Sequence, residues 1–273
     1  MTVVAYPGRE GGHTAAAADA LFPGAQLLST PSFRAVTASV LDGGAAYGVL
    51  PIESSLVGPI AETHDLLYDS PLSIVGETVL HIRHELAAPG PIALEELRVI
   101  RSHPAALDQC RRLLDRLPHV QAIAAPTTAD AARQVAEDGD PREAAIASEK
   151  AIRLYGLTVL EEDVGDHPEA FTRFVSLAPY TTLARNGSGG YRTAFTFVTD
   201  HRPGALHAAI EPFARLGLDL VQLVSRPIPR RPWRYRFDAV LTGHPLDHDV
   251  SEALRELRDR TVSLRVLGAY PKA

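Results

Sequence analysis

The sequence predicts an α/β protein in two parts, a largely parallel α/β region over residues 1 to about 180 and a small βαββαβ module from about 190 to 273. Three observations carry this. Apolar runs with strand character alternate with helical patterns through the first part, which indicates helices on both faces of a parallel sheet. The order of runs changes to strand–helix–strand–strand–helix–strand in the last 80 or so residues, a ferredoxin-like pattern. Between them stands ARNGSGG, Ala184 to Gly190, with the composition of a short flexible linker.

Taken in order, TVVAYP reads as a strand, followed by Gly8, Gly11 and Gly12, then Thr14 and the helix AAAADALF. YGVLPI is a second strand and opens into the loop PIESSLVGPIAETHDLL, residues 51–67. LRVIRS leads through Pro104 into AALDQCRRLLDRL, VQAIAAP through Thr127-Thr128 into ADAARQVAEDG, and AAIAS into EKAIRLYG. DHPEAFTRF then enters the strand-like FVSLAPY. In the second part RTAFTFVTD, LDLVQLVSRP, WRYRFDAVLTG and VSLRVLGAYP read as strands, with PGALHAAIEPFARLG and DHDVSEALRELRDRT as helices.

Bulk properties bound the function. At 273 residues and 45% hydrophobic content the chain can bury a proper core. A net charge of -6 argues against a nucleic-acid surface. Cys110 is the sole cysteine, so no internal disulfide forms and a reducing, cytoplasmic setting is expected. No stretch is long and apolar enough to span a bilayer, and no leader pattern opens the chain. His81 and His84 have ligand-like spacing but lack a third partner, so no metal is expected.

Small hydroxyl residues recur between strand and helix: Thr14, Ser102, Thr127 or Thr128, and Ser148. Each is accounted for singly as a helix N-cap. Together they gather at the carboxyl ends of strands, where open α/β sheets bind ligands. Helix N-termini there favour anions, so a small substrate with more than one carboxylate is expected. Glu53, Ser54 and Ser55 follow a strand directly, as ligand contacts or as a turn. Thr172-Arg173-Phe174 sets a hydroxyl, a guanidinium and a ring side by side, enough to protonate an oxygen, clamp a carboxylate and cover a ring face.

Five ordered motifs over nearly the whole chain resemble prephenate dehydratase. They are GREGGHT, PIESSLVGPIAETHDLL, SHPAALDQC, AAIASEKAIRLYGL and DHPEAFTRF. The resemblance implies a catalytic domain over residues 1–182, built as two periplasmic-binding-protein-like lobes with crossings near Thr78 and Leu160 and the substrate between them. It implies conversion of prephenate to phenylpyruvate in phenylalanine biosynthesis, without a cofactor. Thr172 would stand at the leaving hydroxyl, Arg173 would clamp a carboxylate, and Glu53 would orient the polar shell or supply the proton. Thr14, Ser54, Ser55, Ser102, Gln109 and Phe174 would complete the substrate site. The second part, residues 191–273, looks like an ACT domain. Its family places a phenylalanine site between subunits, here at Gly204, Ala205, Leu206 and Ser225, Arg226, Pro227, which implies feedback by phenylalanine and a homodimer or homotetramer. The chain departs from the family pattern at Gly12-His13 (Thr/Ser-aromatic), Ser54 (Asn), Ala105 (Gln), Ala170 (Asn) and Val224 (Glu). Those departures leave open a prephenate decarboxylase, an arogenate dehydratase variant, or a phenylalanine sensor without turnover.

Overall fold

A computed structural model describes residues 1–179 and 190–273. All of the linker expected at 184–190 except Gly190 therefore lies outside the described residues. The first part is a mixed α/β structure with two sheets. The first sheet is built from β1 (Val3–Pro7), β2 (Gln26–Thr30), β3 (Tyr47–Ser54), the short β4 (Gly58–Pro59) and β5 (Ser73–His81), with helices α1 (His13–Leu21), α2 (Phe33–Leu41) and α3 (Ala61–Asp69) between them. The second sheet holds β6 (Glu85–Ala88), β7 (Val99–Ser102), β8 (Gln121–Ala124), β9 (Glu143–Ala147) and β10 (Thr158–Glu161). Its helices are α4 (Pro104–Gln109), α5 (Arg111–Arg116), α6 (Thr128–Asp138) and α7 (Glu149–Leu154). The chain then returns to the first sheet as β11 (Phe171–Ala178).

The strand orders are β2-β1-β3-β11-β5 and β10-β6-β9-β7-β8. Pairing is parallel among β1, β2 and β3 and among β7, β8 and β9. The sequence suggested largely parallel sheets; the returning strand makes them mixed. β11 is inserted antiparallel between β3 and β5, and β6 and β10 are likewise antiparallel. A strand arriving from the other sheet is free of the handed crossover that forces consecutive strands into parallel pairs. Thr78 pairs with Phe174 inside the first sheet, so the outward passage runs through residues 82–84. The return passage follows β10, over residues 162–170.

The last part contains β12 (Tyr191–Val198), α8 (Ala205–Arg215), β13 (Leu220–Pro227), β14 (Tyr235–Thr242), α9 (His248–Asp259) and β15 (Ser263–Pro271). Its sheet runs β13-β14-β12-β15, all antiparallel, as the βαββαβ pattern requires. One face packs on α8 and α9 through Phe195, Phe197, Phe213, Val250 and Leu257. The other face shares a core with the first sheet: Ala194, Leu267 and Tyr270 pack with Ile74, Val175 and Leu177. Gly268 makes this approach possible, since a Cβ there would lie 2.0 Å from the Ile74 carbonyl oxygen. Among the described residues no helix is long and apolar enough to cross a membrane.

Candidate active site

β11 decides the geometry. It is bonded on both edges, with Thr172 opposite Ser54 and Leu80, and Arg173 opposite Glu53 and Val79. Successive side chains of a strand take opposite faces. Thr172 and Phe174 accordingly line a cleft of about 1020 Å³ between the two sheets. Arg173 points the other way, toward the C-terminal sheet, and lines a small gap with Glu53, Glu77, Arg192 and Tyr270.

The expected carboxylate clamp is therefore corrected: Arg173 does not reach the cleft. Its guanidinium donates to Glu77 Oε2 at 3.1 Å and to Glu53 Oε2 at 3.3 Å. Glu77 is buried and also accepts from Arg192 Nη1 at 2.7 and 2.9 Å. Glu53 faces this same side and does not line the cleft, so its expected part in the substrate shell is corrected too.

The other expected residues divide. Thr14, in the first turn of α1, and Ser54 line the cleft with Thr172. Ser54 Oγ also accepts from the Leu56 and Val57 amides, which shapes the turn after β3. Gln109, at the end of α4, lines the cleft from the second sheet. Ser55 stays outside: its hydroxyl accepts from Phe171 N at 2.9 Å and donates to Glu169 O at 3.2 Å, stapling the start of β11. Ser102 is fully buried and donates to Ile146 O at 2.6 Å, tying β7 to β9. Both are corrections of the same kind. A hydroxyl at a strand end is consumed by backbone when a carbonyl lies within reach. His103, not Ser102, caps α4, accepting from Ala105 N through Nδ1 at 3.2 Å.

The structure adds contacts around the cleft that the motifs do not spell out. Arg9 and Asp130 form an ion pair between the two sheets' elements, and Thr127 Oγ1 donates to Asp130 Oδ2 at 2.7 Å. Ser148 caps α7 and donates to Gly11 O at 2.7 Å, a second tie across the cleft's edge. Gly11 has φ +84°, and a Cβ there would stand 2.8 Å from Ala151 Cα. His13 and His84 also line the cleft, with ring centroids 5.7 Å apart and planes at 72°. His84 Nε2 donates to Gln109 Oε1 at 3.2 Å, while His84 Nδ1 and His13 Nε2 are buried without a partner among the described residues. Burial, then the neighbouring His84, push His13 down to about 4; burial likewise lowers His84, against the Gln109 bond. The signals for this pair in the sequence are that His13 replaces an aromatic residue in the motif and that His84 stands three residues after His81. Glu77 could have been flagged as a carboxylate inside a strand, which demands a partner. Burial, then Asp166, push the Cys110 thiol up to about 12, which fits a core position. His81 bonds Pro168 O at 2.6 Å, and no group of three or more His, Cys, Asp or Glu converges among the described residues.

In the C-terminal part, Gly204 has φ +79° and forms the N-cap of α8. Ala205 and Leu206 line a cavity of about 360 Å³ with Arg202, Arg231 and Arg234. Ser225, Arg226 and Pro227 end β13 and do not line it. Arg226 is held instead by Asp65 of α3 through bonds of 2.7 and 3.2 Å, and Asp65 also accepts from the buried Arg236 at 2.7 Å. The guanidinium thus ties β13 to the first part.

The family model described as prephenate dehydratase matches residues 4–181. The bifunctional chorismate mutase/prephenate dehydratase of Aquifex aeolicus is 38% identical, over 99% of this chain and 74% of its own length. The prephenate dehydratase of Mycolicibacterium gilvum is 36% identical, over 99% of this chain and 91% of its own. The crystal structure of prephenate dehydratase from Arthrobacter aurescens in complex with L-Phe has a TM-score of 0.90 at 30% identity, covering 100% of this chain and 90% of that one.

Proposed function

Since this chain belongs to the prephenate dehydratase family, its reaction is the premise, and we propose how its residues divide the work. The enzyme converts prephenate to phenylpyruvate. The ring carboxylate leaves as carbon dioxide, its electron pair enters the ring, and the hydroxyl on the opposite carbon leaves as water. Aromatisation favours the product. The barrier is departure of a hydroxide-like oxygen, which needs a proton or a strong hydrogen bond at that atom.

Thr172 is the group placed at the leaving oxygen, as a hydrogen-bond donor or proton relay. Phe174 covers the ring face. Thr14, Ser54, Gln109 and the N-terminal turns of α1 and α6 hold the two carboxylates. Arg173, Glu53 and Glu77 brace β11 from behind. The observation that carries this reading is that Thr172 and Phe174 share the cleft face of β11 with Ser54 beside them. The first part works as a two-lobed, periplasmic-binding-protein-like domain; two sheets joined by two passages with a cleft between them support this.

The C-terminal part is an ACT-type regulatory module that takes phenylalanine. Support comes from its βαββαβ order, the left-handed Gly204 turn beside a cavity, and the L-Phe complex of the Arthrobacter relative. The arginines lining that cavity supply charge for an amino-acid carboxylate. β13 is an edge strand with Val221 and Leu223 about 40% exposed, which suits pairing with a second copy in a homodimer or homotetramer. A cytoplasmic setting fits the single buried thiol.

Product identification tests the assignment. Purified protein incubated with prephenate is expected to yield phenylpyruvate, read by its ultraviolet absorbance in alkali. A decarboxylated but non-aromatic product would make it a decarboxylase. Phenylalanine binding with no turnover would make it a sensor alone.

A further inference from the structure

A dianionic substrate entering this cleft meets a poor electrostatic welcome. Among the described residues the charged groups lining it are the guanidinium of Arg9 and the carboxylates of Glu62 and Asp130, and Arg9 is already bound to Asp130. Arg173, the cation expected there, faces the opposite side of β11. Partial charges of the α1 and α6 N-termini soften the deficit but add no proton. The reaction also consumes a proton, and the threonine hydroxyl beside the leaving oxygen is a feeble acid. Imidazoles are the remaining proton carriers in the lining.

Three line the cleft: His13, His84 and His103. His103 is occupied, because its Nδ1 accepts the capping Ala105 amide and would lose that bond on protonation. His13 and His84 are different. They meet edge to face, and each has a buried nitrogen with no partner among the described residues. Gln109 Oε1 fixes the proton of His84 on Nε2, which leaves Nδ1 a bare acceptor. Two rings this close hold one positive charge between them, since a second would be repelled by the first.

We propose that the His13–His84 pair takes up one proton as the dianion binds and becomes the single mobile cation of the cleft, the source of the proton lost with the leaving hydroxyl. In the empty cleft burial keeps the pair neutral, in agreement with the lowered affinity of both rings for protons. Substrate carboxylates reverse that preference by direct charge attraction. As the carboxylate carbon–ring bond breaks, its electrons enter the ring and the ring carbon–oxygen bond breaks. The oxygen takes a proton from the imidazolium, directly or through the Thr172 hydroxyl, and leaves as water. The pair ends neutral and draws its next proton from solvent with the next substrate.

The proposal rests on prephenate as substrate. Its test is the pH profile of initial rates without phenylalanine, between pH 6.5 and 8.5, where the substrate stays dianionic. A free enzyme that must gain a proton on binding loses kcat/KM about tenfold per pH unit above the pair's own pKa. Wild type is expected to show that slope. His13→Phe, which keeps an aromatic ring, is expected to be at least about tenfold slower at pH 6.5 and flat with pH. A flat wild-type profile overturns the proposal whether or not any variant folds. So does His13→Phe with the slope and rate of wild type. Absence of phenylpyruvate from the wild-type reaction would overturn the reaction assignment itself, which the flat profile would not.

Discussion

Thr172 owes its position to bonds made by its backbone, not its side chain. Its backbone is held between β3 and β5, so the strand position does not depend on the hydroxyl, which lies on the cleft face. Thr172→Ala is therefore expected to lower turnover by about 10²–10⁴-fold with an unchanged melting temperature, checked by steady-state rates and thermal unfolding. His13 makes the opposite bargain. Its pKa of about 4 in the folded protein lies below the ordinary 6.5, so the unfolded chain binds the proton first as pH falls. Its neutral form is then fully tolerated above pH 6.5, and stability declines from there toward pH 4, by on the order of 3 kcal/mol. Denaturant unfolding of the free protein at pH 7.5 and pH 5 should show this loss, and His13→Phe should show less of it.

At the scale of elements, the cleft is closed along one edge by the loop after β1 meeting the start of α7. The contact works because Gly11 adopts a left-handed backbone and presents no side chain to Ala151. Ser148 then reaches the Gly11 carbonyl while still capping α7. Gly11→Ala would strain the backbone and force the two sheets' elements apart. The expected outcome is a destabilisation of about 1–3 kcal/mol with a raised KM for prephenate, measured by unfolding and by initial rates. The Arg9–Asp130 pair at the same edge is half exposed on its arginine side and contributes less.

The whole molecule is a stack: cleft, first sheet, C-terminal sheet, then α8 and α9. β11 is shared, with Thr172 on the cleft side and Arg173 on the side of the C-terminal sheet. Arg173 and Arg192 of β12 are bridged by Glu77. Glu77→Ala would take from Arg192 the carboxylate it bonds and leave Arg173 with Glu53, in a largely buried gap, an expected cost of about 3–5 kcal/mol by denaturant unfolding. Asp65 of α3 makes a second junction with Arg226 and Arg236. Gly204→Ala, at φ +79° with open space around its Cβ position, should disturb only its own turn. Inhibition by phenylalanine is expected to weaken while the uninhibited rate holds, checked by dose–response curves.

In the first part β2, α2, β5, β6 and β10 go unread in the sequence, whereas the change of pattern between the two parts, the βαββαβ order of the second and the motifs that gather around one cleft are legible there. Those follow from local periodicity and residue type, which are written along the chain. Only the tertiary structure decided which way each motif residue faces. Thr172 and Arg173 are neighbours in sequence and opposites in space, because successive side chains of a strand take opposite faces and the register is set by partners about 120 positions away. Ser102 and Ser55 lost their hydroxyls to carbonyls brought near by folding, and His13 and His84 met across 71 positions (84 − 13) for the same reason.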